Sequence, residues 1–200
     1  MVGLRERKKQ RTRRALIEAA LRLFDEKGFE ETTLAEIAAE AEVSTRTFFS
    51  YFASKEDVLF FDGASRMARA VEMISSRKPG ERVADLLLRL VRASLRWASD
   101  DDLSIMEVPL RMRLIMTVPS LQARALHLLF DNQLQLARAL EDAFPGELDH
   151  VDAAAAVGAL IGAVKLAVIS TINRGGSLEQ AEKSAVRAAE LALRGLSSIG

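Results

Sequence analysis

The segment from Thr32 to Phe60 carries side chains suited to contacting nucleic acid. Its sequence, TTLAEIAAEAEVSTRTFFSYFASKEDVLF, predicts two short helices joined by a tight turn, followed by the start of a third helix. Hydroxyl groups and one arginine share a face of the second predicted helix, where they can donate hydrogen bonds to phosphates and base edges. The candidate DNA-contacting residues are Thr33, Ser44, Thr45, Arg46, Thr47, Phe49, Ser50, Tyr51 and Lys55.

Local signals predict where these helices begin and which face they bury. Thr33 followed three residues later by Glu36 has the spacing of a capping box, and Ser44 is a suitable N-cap for the second helix. Phe48 and Phe52 lie four residues apart, so they share one face and are expected to pack inward. The layout is that of a helix-turn-helix, whose second helix enters the major groove of DNA.

The charge of the chain is balanced overall but uneven along its length. There are 28 basic and 28 acidic residues. Residues 1–14 contain seven basic side chains against the single acidic Glu6, a net charge of +6, so the remainder carries −6. Because this basic segment directly precedes the helix-turn-helix, we expect it to add phosphate or minor-groove contacts. The alternative is a solvated basic tail.

The segment resembles the TetR family of transcriptional regulators, and the resemblance covers about the first third of the chain. Two positions depart from the family pattern: Glu42 stands where a turn glycine is usual, and Phe49 where a tyrosine is usual. The resemblance rests on Thr33, Ile37, Ala38, Val43, Ser44, Thr47, Phe48, Phe49, Tyr51, Phe52, Ser54, Lys55 and Leu59. It implies that Thr33, Thr47, Tyr51 and Lys55 contact phosphates, and that repression is the mode of regulation.

The rest of the chain predicts helices almost throughout, giving an all-α protein of about nine helices. We expect a three-helix DNA-binding domain over residues 1–54 and a larger helical domain for effector binding and dimerisation over residues 55–200. The first predicted helix runs from Arg7 to Lys27, and a long connecting helix from Lys55 to about Ser76. Breaks are predicted at Arg77–Gly80, Asp100–Asp102, Pro145–Gly146 and Gly175–Gly176.

The predicted helix from Leu148 to Asn173 is unusual because Ala153 to Ile169 is apolar nearly all round, apart from Lys165. The run is short for a membrane span, which needs about 20 residues. A helix that is apolar on every side is buried on every side, so a second subunit is expected to cover it. TetR-family proteins dimerise through their last two long helices, which supports this reading; a central helix of a monomer is the alternative. The predicted dimer contacts are Ala154, Gly158, Gly162, Ala185 and Ala189.

The middle helices carry large, adaptable apolar side chains that are expected to line a pocket for a small apolar effector. The resemblance implies such a pocket without naming its ligand. The alternative is that a stripe of methionine and aromatic residues is plain core. The candidate pocket residues are Trp97, Met106, Met112, Met116, His127 and Phe130.

Other chemistry is weakly represented in the sequence. There is no cysteine, which permits a reducing cytoplasm, and the two histidines, His127 and His150, are far apart without metal-ligand spacing. No phosphate-binding glycine loop or nucleophile motif is present. We therefore expect a cytoplasmic protein that is not an enzyme, with no metal, cofactor or membrane segment.

These observations predict a homodimeric DNA-binding regulator, a repressor released from a palindromic double-stranded operator by a small apolar effector. The alternative is a helical protein-interaction module without specific DNA binding. A small all-α enzyme is a third class, which no constellation of residues supports.

Overall fold

The part of the chain that the structure describes consists of helices joined by short turns and loops. The computed structural model describes residues 3–100 and 107–195, and over those residues it contains ten α-helices and no strand. The helices are α1 (Leu4–Lys27), α2 (Leu34–Glu40), α3 (Thr45–Phe49), α4 (Lys55–Leu59), α5 (Gly63–Ser75), α6 (Val83–Asp100), α7 (Glu107–Thr117), α8 (Pro119–Ala143), α9 (His150–Asn173) and α10 (Leu178–Gly195). The predicted all-α class is confirmed.

The helices form two compact units, each with its own apolar core. The first comprises residues 3–63 and 107–127, and the second residues 64–100 and 128–195, so the division falls within α8. The predicted division into a DNA-binding domain, residues 1–54, and an effector domain, residues 55–200, is a functional one and stays a prediction. The compact units are divided differently, since α4 and α7 pack with the N-terminal helices. The core of the first unit includes Leu16, Ala20, Phe24, Ile37, Phe48, Phe52, Val58, Leu59, Leu114 and Leu121.

The first helix begins and ends close to the predicted positions. Leu16, Ala20 and Phe24 recur every four residues and are all buried, so α1 presents one continuous apolar stripe to the first core. Gly28 ends the helix with a φ of 93°, and its N–H donates to the carbonyl of Phe24 at 3.1 Å. A side chain at this φ is strained, which accounts for glycine at the position.

The prediction of a single helix from Lys55 to Ser76 is wrong, because one helix ends at Leu59 and the next begins at Gly63. The break is held by two arginines from other helices. Arg13 of α1 donates to the carbonyl of Phe61, and Arg111 of α7 donates to the carbonyl of Leu59 at 2.6 Å. The donors that bind these carbonyl oxygens come from distant parts of the chain. The apolar pattern continues through residues 58–61, so the sequence does not show that the helix ends there.

Phe61 and Asp62 complete this contact. The Phe61 ring lies close to both guanidinium groups, with centroid distances of 5.5 Å to Arg13 and 4.8 Å to Arg111. The side chain of Asp62 is only 9% exposed and accepts from Arg111 at 3.2 Å. A buried carboxylate is tolerated when a charged donor accompanies it, so Arg111 and Asp62 are expected to depend on each other for stability.

The second unit is organised around the antiparallel pair α9 and α10. The two helices are joined by a short loop in which Gly175 has a φ of 79°, and Thr171 and Ser184 are linked across the pair by a 2.9 Å hydrogen bond between their hydroxyls. Ala153, Ala156, Val157 and Leu160 of α9 and Ala181, Ala185, Ala189 and Leu193 of α10 are buried.

The predicted dimer contacts divide between the two faces of this pair. Ala185 and Ala189 have no exposed surface, so the inner face of α10 is already used within the protomer. Their prediction as direct dimer contacts has to be revised, because α10 turns its small residues toward its own unit. Ala154 is exposed, and Gly158 and Gly162 are half-buried, on the outer face of α9.

Arg111→Ala should lower the free energy of unfolding by about 3 kcal/mol, because it removes the arginine from the buried Asp62 carboxylate. Urea denaturation followed by circular dichroism measures this loss. Arg113 in the same helix is the matched control: it pairs with Asp25 at 2.6 Å, but both side chains are more than half exposed. Arg113→Ala should therefore cost less than about 1 kcal/mol. Equal losses in the two variants would contradict the structural role of Arg111.

Candidate nucleic-acid interface

The first helix of the predicted helix-turn-helix, α2, begins at the capping box that the sequence predicts. The Thr33 side chain accepts from the backbone N–H of Glu36 at 3.3 Å, and the Glu36 carboxylate accepts from the Thr33 N–H at 2.9 Å and from its hydroxyl at 2.7 Å. Lys27 also donates to Glu36, at 2.5 Å. Together the Lys27 ammonium and the Thr33 donors lower the pKa of Glu36 to about 2.

This lowered pKa keeps the start of α2 capped over a wide pH range. Because the pKa of Glu36 lies below its usual value of 4.5, the stabilisation is fully present above that value and is lost only as the pH falls through about 2. A second pair, between Arg22 of α1 and Glu40 at the end of α2, ties the other end of the helix to α1. Sequence periodicity does not reveal this pair, because its partners are far apart in the chain.

The turn between α2 and α3 is tight and contains one strained residue. The N–H of Ala41 donates to Ile37 O at 3.0 Å, and the N–H of Val43 to Ala38 O at 2.9 Å. Between them Glu42 has a φ of 54°. The left-handed conformation disfavours residues with a Cβ, so this is the position where glycine would fit without strain. Glu42 therefore holds the left-handed conformation at the position where a turn glycine is usual.

The second helix, α3, is only five residues long and is held at its start and from beneath. The Ser44 hydroxyl accepts from the N–H of Thr47 at 3.1 Å and lies 2.9 Å from its hydroxyl. Phe48 is fully buried and Phe52 nearly so, with ring centroids 5.6 Å apart. The inward packing predicted for these two rings is confirmed, and it fixes which side of α3 faces solvent.

The solvent-facing side of α3 gathers most of the predicted DNA-contacting residues. Thr45, Arg46, Phe49 and Ser50 are exposed there. Thr47 and Tyr51 are half-buried. The Ser50 hydroxyl donates to the carbonyl of Thr47 at 2.6 Å, which leaves its oxygen able to accept. The structure thus brings one arginine, hydroxyl groups and one aromatic ring onto a single short helix face.

Lys55 is engaged inside the first unit. Its ammonium donates to the carbonyls of Phe29, Glu30 and Thr32 at 2.8, 3.2 and 3.3 Å, and lies 4.4 Å from the centroid of the Phe29 ring. An ammonium has three N–H donors, and these carbonyls account for all three. The phosphate contact predicted for Lys55 has no remaining donor in this conformation. Its role here is to fix the loop between α1 and α2.

The basic N-terminal segment continues α1 as helix. Helical residues begin at Leu4, and Arg5, Lys8, Lys9 and Arg11 are exposed along the first turns. The expectation of added phosphate contacts therefore applies to a helical extension of α1. An exposed cluster of cations beside the helix-turn-helix attracts a polyanion to this end of the unit.

The residues predicted to line an effector pocket are distributed over both units. Trp97 is half-buried against the second core, with Arg69 5.1 Å from its ring centroid. Met112 is half-buried, Met116 and His127 are exposed, and Phe130 is 57% exposed. Met106 lies outside the described residues.

None of the five described candidates, Trp97, Met112, Met116, His127 and Phe130, lines either of two open grooves in the described part of the chain. One groove, of about 630 Å³, lies between α1 and the helix-turn-helix turn; the other, of about 480 Å³, lies between α6 and α10. Within the described residues there is also no group of three histidine, aspartate or glutamate side chains placed to hold a metal ion. The effector pocket stays a prediction.

Residues 16–60 match the model of the bacterial regulatory proteins of the tetR family. Among characterised proteins, the chain is similar to the HTH-type transcriptional regulator TcmR of Streptomyces glaucescens, with 37% identity over 139 residues. That alignment spans 68% of this chain and 62% of TcmR.

The likeness of fold extends over almost the whole chain. A TetR transcriptional regulator from a Rhodococcus species superposes with a TM-score of 0.52 and 23% identity, covering 94% of this chain and 98% of that one. SmeT, the repressor of the Stenotrophomonas maltophilia multidrug efflux pump SmeDEF, superposes with a TM-score of 0.58 and 18% identity, covering 92% and 89%. At these identities the superpositions establish the fold.

Glu42→Gly should raise the free energy of unfolding by about 1 kcal/mol, because glycine adopts the left-handed φ of this turn without strain. Thermal or urea unfolding measures the gain. Glu42→Ala is the matched control, since alanine also removes the carboxylate but keeps a Cβ at the strained position. If the alanine variant is stabilised as much as the glycine variant, the carboxylate and not the backbone is the source of the effect.

Proposed function

We propose that this chain is a DNA-binding transcriptional regulator of the TetR family that acts in the cytoplasm, and the match of residues 16–60 to the model of that family supports this. The observation that carries the proposal is the exposed face of α3, which buried Phe48 holds in place and which presents Arg46 among hydroxyl groups. The adjoining basic start of α1 supports it, because neutralised phosphates supply much of the affinity for DNA.

We assign the contacts according to what each side chain can donate. Arg46 is the candidate for a bidentate bond to O6 and N7 of a guanine, with Thr45 and Ser50 beside it on the base edges. Thr33 and Tyr51 are candidates for phosphate contacts, as is the Ser44–Thr47 hydroxyl pair at the start of α3. Lys55 contributes indirectly, by fixing the loop that leads into α2.

Selection of bound sequences from random duplex DNA tests this function against the alternative, a helical module that binds protein. The expected result is a palindrome or near-palindrome with half-sites separated by about one helical turn or a multiple of it, as in other helix-turn-helix dimers. Absence of any enriched sequence would favour the protein-interaction module. A single unrepeated half-site would leave DNA binding intact but contradict the dimer.

The outer face of α9 supports a homodimer. Val151 and Leu166 are 59% and 69% exposed, and Leu191 of α10 is 56% exposed. A Cβ built at Gly158 or Gly162 meets no atom within 4 Å, so neither glycine is needed for packing inside the protomer. Close approach of a second helix would explain why glycine stands at both positions. The proposed partner is α9 of a second copy of the chain.

The same helix is long and apolar enough to cross a membrane by length and composition alone. Four of its residues belong to the core of the second unit, and Lys165 lies near its middle. The apolar surroundings desolvate the Lys165 ammonium and lower its pKa although the side chain reaches solvent. A cation in this position fits a protein interface better than the centre of a bilayer.

Regulation by a small apolar effector completes the proposal. Phe130 and Leu134 lie four residues apart in the part of α8 that belongs to the second unit, and both are more than half exposed. These two residues and Trp97 of the same unit are the proposed places for an apolar ligand. We propose repression as the mode of action, as the resemblance to the TetR family implies. An effector lowers operator affinity only as far as it prefers the state that does not bind DNA.

Arg46→Ala should weaken binding to the selected operator by about 1–3 kcal/mol and relax the base preference at one position in each half-site. Fluorescence anisotropy with operator and mismatched duplexes measures both effects. Arg138→Ala, which removes an exposed arginine from α8, is the control and should leave operator affinity unchanged. Unchanged affinity in a folded Arg46→Ala protein would remove Arg46 from the interface.

Gly158→Leu should raise the dimer dissociation constant about tenfold or more, because the side chain overpacks the contact between the two α9 helices. The protomer should stay folded, since the new Cβ meets nothing within it. Gly63→Leu, at another helical glycine with open surroundings, is the control. Sedimentation equilibrium measures the dissociation constant; a wild-type monomer at micromolar concentration would contradict the interface.

A further inference from the structure

Phe49 is a large apolar residue exposed on an otherwise polar helix face. Its side chain is 55% exposed, while its neighbours on this face are Thr45, Arg46 and Ser50. The core beneath α3 is already filled by Phe48 and Phe52. The packing of the protomer therefore does not require an aromatic ring at position 49, and water is a poor environment for it.

The ring is nevertheless held in place. Its centroid lies 5.8 Å from that of Phe48, and the two planes meet at 87°, an edge-to-face arrangement. Because Phe48 is fully buried, it supports the exposed ring from beneath. Phenylalanine also has no hydroxyl group, so Phe49 cannot donate a hydrogen bond to a phosphate oxygen or a base edge. What remains available to it is apolar contact.

We propose that Phe49 determines sequence specificity by contacting the 5-methyl group of a thymine in the major groove. This inference rests on the proposed function, since it requires α3 to lie in that groove. The thymine methyl is the apolar group that the major groove offers, and contact with an apolar side chain distinguishes thymine from the other bases. A ring supported from below meets this methyl with little loss of conformational freedom.

The spacing along α3 determines where the thymine lies relative to the guanine of Arg46. Residues three apart on a helix are separated by roughly 4.5 Å along its axis and by about 60° around it. Base pairs in DNA are stacked about 3.4 Å apart. Phe49 and Arg46 therefore meet neighbouring base pairs, and each half-site should contain a guanine and a thymine within one or two base steps.

The experiment replaces that thymine by uracil in the duplex obtained by selection, which removes the methyl group and changes nothing else in the groove. For the wild-type protein, each substitution at the contacted position should lower affinity about fourfold, the value expected for one buried methyl group. Uracil at the other thymines of the operator is the control and should have no comparable effect.

Protein variants connect this effect to Phe49. In Phe49→Ala the difference between thymine and uracil should disappear, whereas Phe49→Leu, which keeps apolar bulk, should retain part of it. Arg46→Ala should lose the guanine preference but keep the methyl effect. Circular dichroism establishes that the variants are folded, which is expected because Phe49 is exposed.

The outcomes separate this inference from the proposed function. If no duplex is selected, the DNA-binding function itself fails. If a duplex is selected and no uracil substitution weakens wild-type binding, or the weakening persists in Phe49→Ala, the thymine contact is overturned. If Phe49→Ala lowers the affinity for the thymine duplex and for the uracil duplex by the same factor relative to the wild-type protein, the ring contacts the sugar–phosphate backbone instead, and the inference is also overturned.

Discussion

A helix of five residues is not stable by itself in water, and the proposed recognition helix α3 has that length. Its shape depends on the burial of Phe48 against the first core and on the Ser44 hydroxyl at its start. These two interactions determine that Arg46 and Phe49 face outward together. Everything that the protein is proposed to recognise on DNA follows from this orientation.

The surroundings of α3 are fixed by cations that bind backbone carbonyl oxygens. Helix α4 is also five residues long, and it is held at both ends: Lys55 at its start binds three carbonyls of the α1–α2 loop, and the Leu59 carbonyl at its end accepts from Arg111. Arg111 belongs to α7, so a hydrogen bond links that helix directly to the end of α4. A change in the position of α7 would therefore shift α4, which supports the helix-turn-helix.

Local signals predicted the helix-turn-helix well, because its determinants are close in sequence. The capping box of Thr33 and Glu36, the Ser44 cap and the Phe48–Phe52 pair each depend on spacings of three or four residues. Glu42, which stands where a turn glycine is usual, has the left-handed φ that glycine adopts without strain.

Features that depend on distant residues were not predictable in this way. The break between α4 and α5 depends on Arg13 and Arg111, and the spacing of residues in the sequence does not predict either contact. Lys55 stands at a helix start that suits a phosphate, yet three carbonyls from an earlier loop take its donors. Ala185 is small enough to pack either against α9 within the protomer or against a second subunit. Only its burial shows that it packs within the protomer.

The central claim is that the exposed face of α3 and the basic start of α1 bind duplex DNA with sequence preference. The most direct measurement is the affinity for the selected duplex, and for a scrambled one, as a function of salt concentration. We predict that the logarithm of the association constant falls linearly with the logarithm of the salt concentration, with a slope of about −0.9 for each phosphate contacted. The selected duplex should bind more tightly than the scrambled one at every salt concentration. Affinity that is insensitive to salt, or equal for the two duplexes, would contradict the account.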